Sequence, residues 1–279
     1  ALLSDLLAAV DYARNQPGVS VVSMSWGAGE FAGENTVDGY FTTPAGHAGV
    51  TFLASTGDTG TPGGYPAYSP NVVAVGGTTL QVDNGLASPE YIFETGWTGS
   101  GGGVSLYANQ PDYQKSVVPP LLTTSRRAIP DVAFDADPAS GVAVYSPPTG
   151  GASTQWVQVG GTSFSAPAWG ALVAIANQGR ALAGLAAMDG PTKTLPLLYG
   201  LPEHAFHDVT LGSNGLPAAP GYDLVTGRGS AGAQVIAAAL SQPSISGKVY
   251  LDSNDNHQLD ALEPGLAEWT VFDDLNQNG

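Results

Sequence analysis

The chain contains no cysteine, so disulfides, thiolate metal sites and cysteine nucleophiles are excluded from this span, while the compartment is left undecided. It is also poor in charge, with charged residues making up 11% of the sequence and only 8 Lys plus Arg against 24 Asp plus Glu. The resulting formal charge of −16 argues against nucleic acid or an anionic membrane surface as a partner. Protonation of carboxylates in acid would relieve the self-repulsion, which is consistent with work at low pH. No apolar run is long enough to cross a bilayer, so membrane insertion is not expected. Of the 4 histidines, His47, His204, His207 and His257, none lies in a position that suggests a catalytic base, and each reads as a surface or loop residue.

Glycine is abundant, and its placement is informative. Gly160-Gly161-Thr162-Ser163-Phe164-Ser165-Ala166-Pro167 runs into the apolar stretch 168–176, putting serines where a glycine-rich turn becomes a helix. Glycine lets the backbone turn sharply and approach a substrate, and the first helical turn offers unpaired N–H groups and a positive dipole end. Ser163 is therefore a candidate nucleophile, although a Thr-Ser pair before an apolar run, taken alone, more often caps a helix. A second segment, Leu53 to Gly60, carries Asp58 in an Asp-Thr-Gly sequence that alone reads equally well as a turn.

Together these blocks resemble the serine motif shared by subtilisins and by the sedolisin family of serine-carboxyl peptidases (peptidase family S53). Subtilisins normally have asparagine at the Asp58 position, whereas sedolisins have aspartate. A carboxylate only accepts hydrogen bonds, so the resemblance implies that Asp58 donates to an oxyanion in its protonated form, and hence that the enzyme works in acid. Ser25-Trp26-Gly27, at the carboxyl end of an apolar β-branched run, and Ala54, Ser55, Thr56 and Gly57 are the segments that the resemblance assigns to the two walls of a peptide cleft. Tyr65 to Pro70, Gly101 to Ser105, Ile129 to Ala133 and Ala136 to Pro138 follow in the same family order. The resemblance covers about residues 1 to 240. It implies a serine-type endopeptidase acting on polypeptides, with an acidic Glu/Asp pair, one helical turn apart, activating the serine. Asp5 and Asp11 lie too late in the family order to serve, so the pair is expected upstream of Ala1. The start without an initiator methionine, propeptide or signal sequence points the same way. The competing reading is a non-catalytic secreted binding or adhesion protein on the same scaffold.

The resemblance also implies a Ca2+ site, with Asp208 and Asp223 binding through side chains and Val209, Ala219 and Gly221 through carbonyl oxygens, the hard ligands that calcium takes. Without that context, two aspartates in glycine- and proline-rich loops read as turn formers.

Alternating helix and strand patterns predict an α/β fold with a parallel sheet flanked by helices, and the resemblance implies that it is of subtilisin-like type. Helices are expected over 2–14, 36–48, 163–178 and 232–240, and strands over 19–26, 50–54 and 72–75, with further β structure between 80 and 159. The domain is expected to span 1–240, with a linker at 241–244. A new pattern opens at Ile245 to Leu251, followed by Asp252, Asn254, Asn256, Gln258, Asp260 and Glu263 at calcium-loop spacing. His257 replaces the loop glycine and the flanks alternate as strands. Residues 245–279 thus resemble the start of a calcium-binding β-sandwich repeat of bacterial surface proteins, with possible contact to a cell surface or matrix. Asp274, Asn276 and Asn278 begin a similar pattern. The whole reads as an internal segment of a secreted or surface protein, expected to be monomeric.

Overall fold

The computed structural model describes residues 2–83, 90–146, 155–242, 250–254 and 260. In chain order the strands are β1 (Val21–Met24), β2 (Thr51–Ser55), β3 (Val72–Asp83), β4 (Glu90–Gly96), β5 (Gly103–Asn109), β6 (Arg126–Ile129), β7 (Val132–Asp135), β8 (Val142–Ser146), β9 (Gln155–Val159), β10 (Phe206–His207) and β11 (Ser230–Ala231). The α-helices are α1 (Leu3–Arg14), α2 (Thr162–Leu182), α3 (Leu195–Gly200) and α4 (Ala233–Ser241). The main sheet has the order β1-β2-β3-β7-β11-β10, parallel from β1 to β11, with β10 antiparallel at its end. β4 pairs antiparallel with the outer half of β3.

Both faces of this sheet are buried, which explains the continuous apolar runs of β2 and β3. Side chains alternate across a strand. Leu53, Val73 and Val75 accordingly join Trp169 and Val173 of α2 in one core, while Phe52, Ala54, Val72 and Ala74 join Leu7 and Val10 of α1 in the other. The buried indole of Trp169 is satisfied by the Ala133 carbonyl at 2.7 Å.

A fully buried ion pair ties the strands together. Arg127 forks onto Asp131 at 3.0 and 2.7 Å, and Asp131 also accepts from Ala74 N at 2.7 Å and the Tyr199 hydroxyl at 2.6 Å. Those extra donors compensate the desolvation that an isolated buried pair would suffer.

Two expectations are corrected. The helix expected over 36–48 is a 3-10 helix over Glu34–Phe41 that ends in extended Thr42, with Pro44 just beyond it. β3 runs twelve residues to Asp83 rather than stopping at Val75, because its outer half has β4 as a partner. The chain divides into compact units 1–242 and 243–279. The strand expected over 245–251 lies almost wholly outside the described residues, as do Asn256, Gln258, Glu263 and the pattern from Asp274.

Candidate active site

The carboxyl ends of β1 and β2, adjacent and parallel through the Met24–Ala54 register, open onto the amino end of α2. Gly57 (φ 113°) turns the chain out of β2 and sets Asp58 at the rim. Gly161 (φ 96°) begins α2 in a conformation that side-chain-bearing residues rarely adopt. A Cβ on Gly161 would also lie 2.8 Å from Asp58 Oδ2. Glycine is therefore required there for both space and backbone angle.

Thr162 holds the carboxyl of Asp58 in place. Its backbone N–H and its hydroxyl both donate to Asp58 Oδ1 at 2.7 Å, and the hydroxyl accepts from Gly57 N at 3.2 Å. With Oδ1 receiving two donors, the proton of a neutral Asp58 belongs on Oδ2, the oxygen beside Gly161. Ser163 follows as the second residue of α2 and is exposed. Its carbonyl accepts the Ser25 hydroxyl at 3.0 Å, so Ser25 clamps the end of the β1 wall to the start of α2.

A cleft of about 450 Å3 runs past these groups. Of the residues expected there, Ser25, Trp26, Gly27, Ser55, Thr56, Gly57, Asp58 and Ser163 line it together. Ala54 does not: strand alternation turns it into the core, where it is fully buried. The sequence reading missed Ala28, Gly29, Gly63 and Gly64 on the outer wall. There Ala28 and Tyr65 exchange two backbone bonds of 3.0 and 2.8 Å, and a Cβ on Gly64 would strike the Ala28 carbonyl at 2.7 Å. The paired glycines 63 and 64 were the available signal for that close approach.

Among the described residues, Asp58 is the only titratable group in the cleft lining. Asp5 and Asp11 are used within α1, Asp5 by the Leu2 N–H and Asp11 by Arg14 at 2.6 Å. His47 binds the carbonyls of Ala48 and Gln16, and these bonds raise its pKa.

The two loops expected to hold calcium meet. Asp208 Oδ2 accepts from Gly221 N at 3.0 Å, and Asp223 Oδ2 accepts from Ala219 N at 2.9 Å. Asp223 Oδ1 also takes the N–H groups of Val225 and Thr226 at 2.8 Å, organising the following turn. Burial pushes the Asp223 carboxyl above the usual range, opposed by these neutral donors. Among the described residues, no hydrogen bond reaches the carbonyl oxygens of Val209, Ala219 or Gly221. Carboxylate and carbonyl oxygens are the hard donors that Ca2+ takes, so the chemistry of these residues suits that ion. In the second compact unit, Asn254 donates to Asp260 at 2.7 Å and to Asp252 at 3.3 Å.

A mostly parallel sheet flanked by helices, with a serine at the head of the central helix and a cleft at the strand ends, defines a subtilisin-like α/β domain. Residues 3–187 match the family described as Subtilase family, and the chain belongs to it. It is 38% identical over 238 residues to kumamolisin of Bacillus sp. (strain MN-32), covering 76% of this chain and 40% of that protein. It is 33% identical over 239 residues to sedolisin of Pseudomonas sp. (strain 101), covering 75% and 38%. The chain thus spans about two fifths of the length of these curated relatives. Among solved structures it is similar to Pseudomonas sedolisin, a serine-carboxyl proteinase complexed with pseudo-iodotyrostatin. That match has a TM-score of 0.70 and 31% identity, and covers 85% of this chain and 69% of that one.

Proposed function

We propose that this chain carries the nucleophile and oxyanion site of a serine-carboxyl endopeptidase of sedolisin type that cleaves polypeptides in acid. The observation that carries this reading is the pair of hydrogen bonds that Thr162 donates to Asp58 Oδ1, which leaves Oδ2 beside Gly161 at the head of the Ser163 helix. Ser163 Oγ forms a bond to the peptide carbonyl carbon and gives its proton to a base. The carbonyl π pair moves onto oxygen, and protonated Asp58 donates to that oxyanion. When the tetrahedral adduct collapses, the C–N bond breaks and the base returns the proton to the leaving amine. A Glu/Asp pair from sequence outside this chain serves as the base. Polypeptide lies as an added strand between Ser25–Gly27 and Ser55–Gly57.

Ca2+ is bound by Asp208, Asp223 and the carbonyls of Val209, Ala219 and Gly221, and it supplies structural stabilisation of the two loops. Residues 245–279 begin a separate calcium-binding β-repeat, and the protein is secreted and monomeric.

The test is hydrolysis of a denatured protein by the full-length parent from about pH 3 to about pH 8, comparing native enzyme with Ser163→Ala and Asp58→Asn. Ser163→Ala should lose on the order of 10^4-fold or more in kcat. Asp58→Asn carries a permanent donor, so its remaining activity should extend toward neutral pH. Absence of any Ser163-dependent cleavage would favour the non-catalytic binding protein.

A further inference from the structure

The ribbon Gly99-Ser100-Gly101-Gly102-Gly103, which leads into β5, is buried along its whole length. One side of it supports the loop that carries Asp58. Gly60 N donates to Gly99 O at 2.9 Å, Gly101 N to Gly57 O at 2.9 Å and Gly63 N to Gly102 O at 3.1 Å. Gly57 and Gly63 line the cleft, and Asp58 sits between the bonded residues Gly57 and Gly60. No side chain fits into this layer, since a Cβ on Gly101 would strike the Thr56 carbonyl oxygen and one on Gly102 the Leu224 carbonyl oxygen. Glycines impose little conformational preference of their own, so the course of such a ribbon is set by its partners.

Two buried polar side chains supply those partners from the other side. Ser100 Oγ donates to Val225 O at 2.8 Å and accepts from Gly77 N of β3 at 2.9 Å. Asn214 Nδ2 donates to Ser100 O at 2.8 Å and to Leu224 O at 3.1 Å, while its Oδ1 accepts from Leu216 N at 3.1 Å. Both N–H groups of the carboxamide are thus spent on joining two separate segments, which a buried apolar residue could not do. The Asn214 carbonyl also accepts from Thr61 N at 2.9 Å, next to Gly60. The turn being gripped is itself fixed, because Asp223 Oδ1 accepts from Val225 N and Thr226 N at 2.8 Å. Neither Ser100 nor Asn214 lines the cleft.

We propose that Ser100 and Asn214 are positioning residues for Asp58. They clamp the glycine ribbon to the turn at 224–225, and the ribbon fixes Gly57 and Gly60 through backbone hydrogen bonds. Asp58, held between those two glycines, is thereby kept within reach of Thr162 N and Oγ1, with its Oδ2 at the head of the Ser163 helix. Such support matters because a donor to an oxyanion acts only if it already stands where charge develops in the transition state. The effect on cleavage rests on the peptidase reading, whereas the positioning of Asp58 does not.

A double-mutant cycle in the full-length parent, read as kcat on a denatured protein substrate, tests it. Ser100→Ala should lower kcat about tenfold in the native background but less than about twofold in Asp58→Ala protein, which has no carboxyl left to position. A side chain that only supports the fold would cause the same loss in both backgrounds, and that result would overturn the proposal. Backbone hydrogen exchange at about pH 4.5, corrected for intrinsic rates, reads the geometry without substrate. Protection of the Gly101 and Thr162 amides should fall at least about tenfold in Ser100→Ala, while amides in the middle of α2 stay level. Unchanged protection at Thr162 would equally overturn it. Should Ser100→Ala not fold, Asn214→Ala removes the other half of the clamp and must reproduce both results. A parent protein that cleaves nothing, yet whose Thr162 amide is released by Ser100→Ala, would sink the peptidase reading while leaving the positioning role standing.

Discussion

At Thr162 one hydroxyl decides which oxygen of Asp58 is spent and which is presented. Replacing it by valine removes a 2.7 Å bond to the carboxyl and leaves the part-buried Gly57 N–H without its acceptor. A hydrogen bond to a neutral carboxyl group of this kind contributes about 0.5–1.5 kcal/mol. Thr162→Val is therefore expected to lower kcat/KM roughly 2- to 10-fold and to move its alkaline limb, while circular dichroism stays native. An unshifted pH profile would mean that Thr162 does not orient Asp58. Gly161→Ala is expected to be worse, since its Cβ would lie 2.8 Å from Asp58 Oδ2 and its φ of 96° is unfavourable for alanine. That Ser163 and Asp58 lie in one cleft was legible only because their two blocks together resemble a known family pattern; alone, each reads as well as a cap or a turn. The coupling of Thr162 to Asp58 joins residues 104 apart, and no local periodicity encodes which oxygen such a partner will face.

Among the elements, the loops at 207–210 and 219–227 are anchored by the buried Val209, Tyr222, Leu224 and Val225, and the proposed Ca2+ would add to that packing. Asp208 is exposed, and the carbonyl oxygens of Val209, Ala219 and Gly221 have no hydrogen-bond partner among the described residues. An ion bound at 100 times its dissociation constant would stabilise the folded chain by about 2.7 kcal/mol. Chelation should therefore lower Tm by roughly 5–10 °C for a domain of this size, and Asp208→Asn should remove that calcium dependence. Asp223→Asn should cost more, because Asp223 also receives Val225 N and Thr226 N. A Tm indifferent to both calcium and chelator would return the aspartates to the role of turn formers.

The long elements were readable because both sheet faces are covered: Phe52 and Leu53 are adjacent in β2 yet both are fully buried in opposite cores. The 3-10 segment 34–41 was misjudged as part of a longer helix, since its register is fixed by tertiary partners such as Tyr65 on Asp38 rather than by its own spacing. The outer half of β3 was missed for the same reason, its order depending on pairing with β4.

For the molecule as a whole, acid is expected to stabilise the fold as well as the chemistry. Burial raises the carboxyl pKa values of Glu34, Asp38 and Asp135, so the folded chain binds more protons than the unfolded chain at mildly acidic pH. By linkage their stabilising contribution is fully present below the unfolded carboxylate range and is lost as pH rises through the raised values. Glu34 alone, moving from 4.5 to about 7, accounts for at most roughly 3 kcal/mol. The excess of 24 acidic over 8 basic residues adds general repulsion in the same direction. Urea midpoints should therefore fall as the pH is raised from about 4.5 to about 7.5, with the slope reduced in Glu34→Gln. Added salt separates the two sources. Exposed charges are screened within a Debye length of about 8 Å at physiological ionic strength, whereas the buried carboxyls are not. High salt should flatten the part of the slope due to net charge and leave the part that Glu34→Gln removes. A slope abolished by salt alone would assign the acid preference to the surface, and the buried carboxyls would then be spectators.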